Sequence, residues 1–192
     1  MAPTYSGRSW ASRPVPCLVV HGGRFGQSRK IAEAMDEVLR RTGLETELAE
    51  LARGTVIDPV RHDALLLVTS VRYGYFDRNA YRLVERHRDW LGTVPAQLVT
   101  VSLTARKPEK RDPQEHSYTR TFLEKSGWPG EAEVVAGALE YPRYRIWDRL
   151  AIQLIMKITD GPTDPTVSVE YTDWEQVRAA AAGFAGRVDP VG

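Results

Sequence analysis

Three short stretches carry residue types suited to holding and using a ligand. The first, Gly22-Gly23-Arg24-Phe25-Gly26-Gln27-Ser28, follows an apolar run at 17–20 and precedes a helical pattern. Backbone N–H groups at a helix start lack partners and carry the positive end of the dipole, so such a turn can take a phosphate. Its glycines let backbone approach an anion without Cβ clashes, and Gln27 and Ser28 add donors. The spacing is not the dinucleotide fingerprint, and without Gly-Lys-Ser/Thr it is not a nucleoside-triphosphate loop. An ordinary strand-to-helix turn is the competing reading. The second stretch, Ser70-Val71-Arg72-Tyr73-Gly74-Tyr75-Phe76, places aromatics after the apolar run 64–70. The third, Ser102-Leu103-Thr104-Ala105-Arg106-Lys107-Pro108-Glu109-Lys110, is polar and basic.

Regular elements must present these loops. Strands are expected to about residue 21, at 44–51, 64–70, 95–103 and 134–139, and helices at 31–43, 79–91, 114–125 and 174–184. Thr172 and Glu175 are spaced as a capping box for the last helix. Five strands alternating with helices imply an α/β fold, a parallel sheet covered on both faces. Ligands on such sheets bind beyond the carboxyl ends of the strands, near the switch point. All three loops follow strands and therefore gather at one edge. A phosphate loop beside aromatic and polar loops suits a phosphorylated flat ring, with flavin mononucleotide (FMN) the leading candidate.

Composition bounds the rest. The 192 residues are 42% hydrophobic and 27% charged with net charge +1, ordinary for one globular domain and unlike a nucleic-acid binder. Residues 1–14 read as a flexible leader and 15–188 as the single domain. No apolar run approaches the ~20 residues of a membrane span. The single cysteine, Cys17, sits in the first apolar run and reads as a buried structural thiol. The histidines are scattered, so no metal site is expected. No nucleophile–base pair is apparent, and the catalytic residues stay unassigned.

Several longer motifs resemble the flavodoxin-like, quinone-dependent protoporphyrinogen oxidases of bacteria. They are Val71-Arg72-Tyr73-Gly74, Ala105-Arg106-Lys107-Pro108-Glu109-Lys110-Arg111, Ala136-Gly137-Ala138-Leu139 and Tyr141-Pro142-Arg143-Tyr144-Arg145. Leu154-Ile155-Met156-Lys157 and Tyr171-Thr172-Asp173-Trp174-Glu175-Gln176-Val177 belong with them. The resemblance covers nearly everything from 16 to 184 and implies a flavodoxin-like five-stranded sheet with an insertion, at 140–171, before the last helix. It implies noncovalent FMN, oxidation of protoporphyrinogen IX to protoporphyrin IX in haem synthesis, and electrons passed to menaquinone or ubiquinone. FMN is then expected against 22–28, Ser70, Arg72, Tyr73, Gly74, Ser102, Leu103, Thr104, Ala105 and Arg106, with Tyr73 stacking on the ring. The first loop departs from the family's Ser-Thr-Arg-Asp-Gly-Gln-Thr. Gly22 and Gly23 replace the hydroxyls, Phe25 the Asp and Ser28 the last Thr. A charge-assisted hydrogen bond is worth about 1.5–3 kcal/mol, so FMN affinity is expected to fall tenfold or more.

In the insertion, Ile146, Trp147, Leu150, Ala151, Leu154, Ile155 and Ile158 form an apolar stripe at helical spacing, with Asp148, Arg149, Gln153 and Lys157 facing away. With Arg143, Arg145, Trp147 and Arg149, this suits either the substrate's carboxylates or a membrane surface; core packing is the alternative. The expected location is cytoplasmic, peripheral on the inner membrane's cytoplasmic face. A flavodoxin-type electron carrier and a flavin-free relative acting as a binding protein are the rivals. The first is disfavoured because such carriers are strongly acidic.

Overall fold

The computed structural model describes residues 16–158 and 161–188; the expected leader at 1–14 lies outside them. Five parallel strands, β1 (Pro16–Gly22), β2 (Glu45–Glu50), β3 (Ala64–Ser70), β4 (Ala96–Ser102) and β5 (Glu131–Ala136), form one sheet in the order β2-β1-β3-β4-β5. The order reverses between β1 and β3, which places the switch point there. Strand alternation divides the core between two faces. Cys17 and Val19 of β1 and Leu66 and Val68 of β3 meet Ile31, Met35 and Phe184. Leu18, Val20, Leu65 and Leu67 meet Leu83 and Phe122 on the other side. Helices α1 (Gln27–Arg41) and α5 (Trp174–Val188) therefore cover one face, α2 (Arg78–Leu91) and α3 (Ser117–Ser126) the other. Cys17 is buried as expected, and burial pushes its thiol up to about 12.

Two expectations need correction. The apolar run at 134–139 is not one strand: it breaks at Gly137, whose N–H donates to Ser102 O at 3.3 Å. Beyond the break, β6 (Ala138–Glu140) pairs antiparallel with β7 (Ser168–Glu170) in a separate small sheet. The capping box on α5 also fails. Asp173 accepts the N–H groups of Glu175 and Gln176 at 3.1 Å each, whereas the Thr172 hydroxyl donates to Ala136 O at 2.9 Å.

Between β6 and β7 the chain makes an excursion containing α4 (Ile146–Ile158). Its buried face is Asp148, Ile152 and Met156, at i, i+4 and i+8. Asp148 is thus buried rather than outward-facing. The expected stripe is largely open to solvent instead: Ile146, Trp147, Leu150, Leu154 and Ile158 are 53–81% exposed. The core contact of this helix is made by the other face, and of the stripe only Ala151 and Ile155 are half-buried.

Candidate functional site

The three loops converge at the carboxyl edge of the sheet around one cleft. From the first loop come Arg24, Phe25, Gln27 and Ser28; from the second Ser70, Arg72, Tyr73 and Gly74; from the third Ser102, Leu103 and Thr104. Gly22 and Gly23 line a neighbouring cleft instead. Gly26 is the N-cap of α1, with φ 90° and no side-chain cap. Ala105 and Arg106 of the third loop do not line this cleft. Ala105 is buried among Val134 and Ala136, and Arg106 turns back on its own loop, donating to Leu103 O at 3.0 Å. Arg143, Arg145, Trp147 and Arg149 do not line the cleft either. Arg143 pairs with Glu140 at 2.7 Å and holds its guanidinium over Gly26, while Arg145 and Trp147 are exposed.

The second loop is a miniature hairpin. Arg72 N–H donates to Tyr75 O at 2.8 Å and Tyr75 N–H to Arg72 O at 2.9 Å. Both central residues have positive φ, Tyr73 at 49° and Gly74 at 83°, as a type I′ turn requires. A left-handed tyrosine is costly and persists only where its surroundings hold it. Asp148 holds it here, accepting from the Tyr73 hydroxyl and from Arg72 Nη2 at 2.5 Å, with Arg24 at 3.8 Å. Arg72 also lies over the Tyr73 ring, 4.8 Å from its centroid. The hydrogen bond from Tyr73, with Arg72 and Arg24 nearby, holds the Asp148 carboxyl below the usual carboxylate range. Burial, and then the bond to Asp148, pushes the Tyr73 phenol up.

The third loop is fixed by a buried polar chain. Ser102 Oγ lies 2.9 Å from Thr104 Oγ1, which lies 3.0 Å from His116 Nε2. His116 caps α3 with Nδ1, which lies 3.3 Å from the Thr119 N–H and 2.7 Å from Thr119 Oγ1. Burial, with Lys110 nearby, lowers its pKa to about 4.

Sequence reasoning missed Asp148 as a site residue, together with Val71, Val101, Tyr118, Gly137, Ala138, Tyr144, Ile152 and Ile155, all of which line the cleft except Asp148. The Asp148-Ile152-Met156 spacing was the signal for the helix. Tyr118, at the second position of α3, had none.

The residues present fit a phosphorylated ligand. Ser28 Oγ is buried without a partner and can donate to a phosphate, whereas the Gln27 amide is spent on Glu170 and Thr172 and leaves only its backbone N–H for an anion. A Cβ on Gly23 would stand 2.7 Å from Ser28 Oγ and 3.0 Å from Ser70 Oγ, so its missing side chain keeps two hydroxyls turned to one niche. The uncapped start of α1 adds backbone donors. Fold and cleft together define a flavodoxin-like protein built to bind a flavin nucleotide. A model of the flavodoxin-domain family matches residues 18–166. The fold is shared with oxidised flavodoxin 1 from Bacillus cereus (TM-score 0.57, 13% identity, 91% of this chain and 99% of that one). A short-chain flavodoxin associated with a bacterial microcompartment also shares it (TM-score 0.54, 10% identity, 91% and 99%). Much more similar in sequence is a protein of Escherichia coli K12 called protoporphyrinogen IX dehydrogenase [quinone], 40% identical over 173 residues, 90% of this chain and 96% of that one. A Leishmania major protein of the same name is 38% identical over 180 residues, 91% and 77%. The chain belongs to the flavodoxin-domain family and, within it, to the group of the quinone-type protoporphyrinogen IX dehydrogenases. FMN is the cofactor of that fold family, and the cleft fits it.

Proposed function

We infer that the protein is an FMN-dependent dehydrogenase that oxidises protoporphyrinogen IX to protoporphyrin IX and passes the electrons to a quinone. Identity of 40% along nearly the full length of both chains carries this reading. FMN bound in the cleft supplies a two-electron acceptor, so removing six electrons from each porphyrinogen takes three rounds. The Ser28 hydroxyl and the backbone N–H groups at the start of α1, that of Gln27 among them, hold the phosphate; Tyr73 and Tyr118 offer rings beside the cofactor. Asp148 fixes Tyr73 and Arg72, and Ile152 and Ile155 of α4 line the cleft with apolar surface that keeps water out. The test is anaerobic: protoporphyrinogen should bleach the flavin of the loaded protein, and added quinone should restore it. Bleaching without restoration by menaquinone or ubiquinone refutes the quinone step. No bleaching refutes the whole reading.

The acceptor is a membrane quinone, menaquinone or ubiquinone, met at the cytoplasmic face of the inner membrane, to which the protein attaches peripherally. The exposed stripe Ile146, Trp147, Leu150, Leu154 and Ile158, beside Arg143, Arg145 and Lys157, supports the attachment. Basic groups near an anionic surface contribute about 1 kcal/mol each and are screened by salt; apolar insertion is not. Replacing Leu150 and Leu154 by Ser should therefore reduce binding to anionic vesicles at every salt concentration, and replacing Arg143 and Arg145 only at low salt. Since both leucines are exposed, the Ser variant should keep its fold and FMN; full vesicle binding by that variant refutes the attachment.

A further inference from the structure

Beside the flavin cleft lies a second one. The two share Arg24, Ser70, Arg72 and Tyr73 as a common wall. The second runs across Gly22 and Gly23 to the chain following β2 and to the start of α2. Its rim carries Arg53, Arg78 and Arg82 in addition to Arg24 and Arg72, against two carboxylates, Glu50 and Asp77.

The wall arginines are already engaged by Asp148. The rim arginines are not comparably engaged. Arg82 reaches only the Asn79 side chain, at 3.4 Å, and neither Arg53 nor Arg78 has an ion-pair partner among the described residues. Their placement also opposes the local physics. Arg78 is the first residue of α2, where the helix dipole disfavours a cation, and Arg82 follows one turn later on the same face. All three are exposed, so none is there to pack. Beside them the Tyr75 ring, 77% exposed, offers an apolar surface with no core function. A cationic rim next to an exposed ring, opening onto the wall of the flavin cleft, fits a flat hydrophobic molecule with carboxylates at one edge.

We propose that this bay seats the two propionates of the tetrapyrrole on Arg53, Arg78 and Arg82, with the macrocycle lying over Tyr75 and Tyr73 towards the flavin cleft. The proposal rests on the dehydrogenase reading above and names the substrate contacts of that same site. Guanidinium groups pair carboxylates through two parallel N–H donors, which fixes the substrate's orientation as well as its affinity.

The test uses the FMN-loaded protein and the variant Arg78→Gln/Arg82→Gln, with Arg53→Gln as a second variant on a different segment. Binding of protoporphyrin IX and of its dimethyl ester is read by porphyrin fluorescence, and KM and kcat for protoporphyrinogen are measured in parallel. Loss of one charge-assisted pair should weaken diacid binding about tenfold. The diester should bind wild type and variants alike, KM should rise more than kcat falls, and FMN affinity should stay constant. Raised salt should weaken diacid binding to the wild type more than to the variants. Unchanged diacid binding and KM in both variants, or an equal loss for the diester, overturns the bay while leaving the dehydrogenase reading intact. Loss of FMN instead of porphyrin also overturns it. A wild-type protein that turns over no protoporphyrinogen overturns the functional reading and the bay's occupant with it.

Discussion

Acidification should loosen the start of α3, where His116 caps the helix as a neutral ring. The side chain is 2% exposed, and its Nδ1 must accept the Thr119 N–H that caps α3. Protonation there turns an acceptor into a donor facing a donor. It would free the first turn of α3, which carries Tyr118 against the cleft. Burial first, then Lys110, lowers the pKa from 6.5 to about 4. With the native pKa depressed, the unfolded chain binds more protons in this window. Stability is therefore complete above the unfolded value and is lost as pH falls towards the native one.

From about pH 7.5 to about pH 5 the ideal linkage is about 2 kcal/mol. Water and ions beyond the loop screen part of it, leaving about 1 kcal/mol. His116→Asn provides the control, since Asn is a strong N-cap and carries no titrating proton. Urea unfolding of both proteins at the two pH values gives the difference directly. The wild type should lose about 1 kcal/mol more than the variant across the interval, and FMN should dissociate faster from the wild type at the acid end. Equal losses in the two proteins would refute the argument, because the acid sensitivity would then belong to other groups.

Gly23→Thr restores a hydroxyl of the family loop, yet FMN affinity should fall rather than rise. The new Cβ would stand 2.7 Å from Ser28 Oγ, and titration of the apoprotein by flavin fluorescence reads the result. Asp148→Ala should free Tyr73 and Arg72, so that limited proteolysis cuts the 140–171 segment faster than in the wild type. In the native protein the same latch should persist above the ordinary carboxylate range and fail as pH falls through the lowered Asp148 pKa. Proteolysis rates across that acid range check it.

The parallel sheet and its ligand edge were legible because central strands leave an unmistakable pattern. Ala64 to Val68 of β3 are continuously apolar and Leu98, Val99 and Val101 keep β4 largely so, and each strand empties into a loop of unlike composition. The positions of Ala105 and Arg106 were not legible: the chain after β4 winds into a short 3-10 turn, which faces Leu103 and Thr104 to the cleft and carries Ala105 and Arg106 past it. The buried face of α4 was hidden for a different reason. Two faces of that helix carry apolar residues at helical spacing, and a charged residue on one argues for turning it outward, since a buried charge is costly unless paired. Asp148 is paired, but with Tyr73 and Arg72, 75 and 76 residues away. No local pattern carries that information.

The altered first loop and the excursion behave as one unit. Phe25 replaces a residue that is acidic in the resembling family, and its ring packs 4.5 Å from that of Tyr144 and lies under Arg72 at 5.9 Å. Tyr144 is in turn tied to β6 through Glu140 N–H at 3.1 Å. On the other side of the loop, Gln27 Nε2 donates to Thr172 Oγ1 at 2.8 Å and to Glu170 Oε1 at 2.5 Å, across to β7. A loop held from both sides loses little conformational freedom when an anion arrives, and that saving enters affinity as directly as a contact does. Ser28 and Ser70 converge on the niche that Gly23 leaves open, and the excursion packs against the loop from both sides.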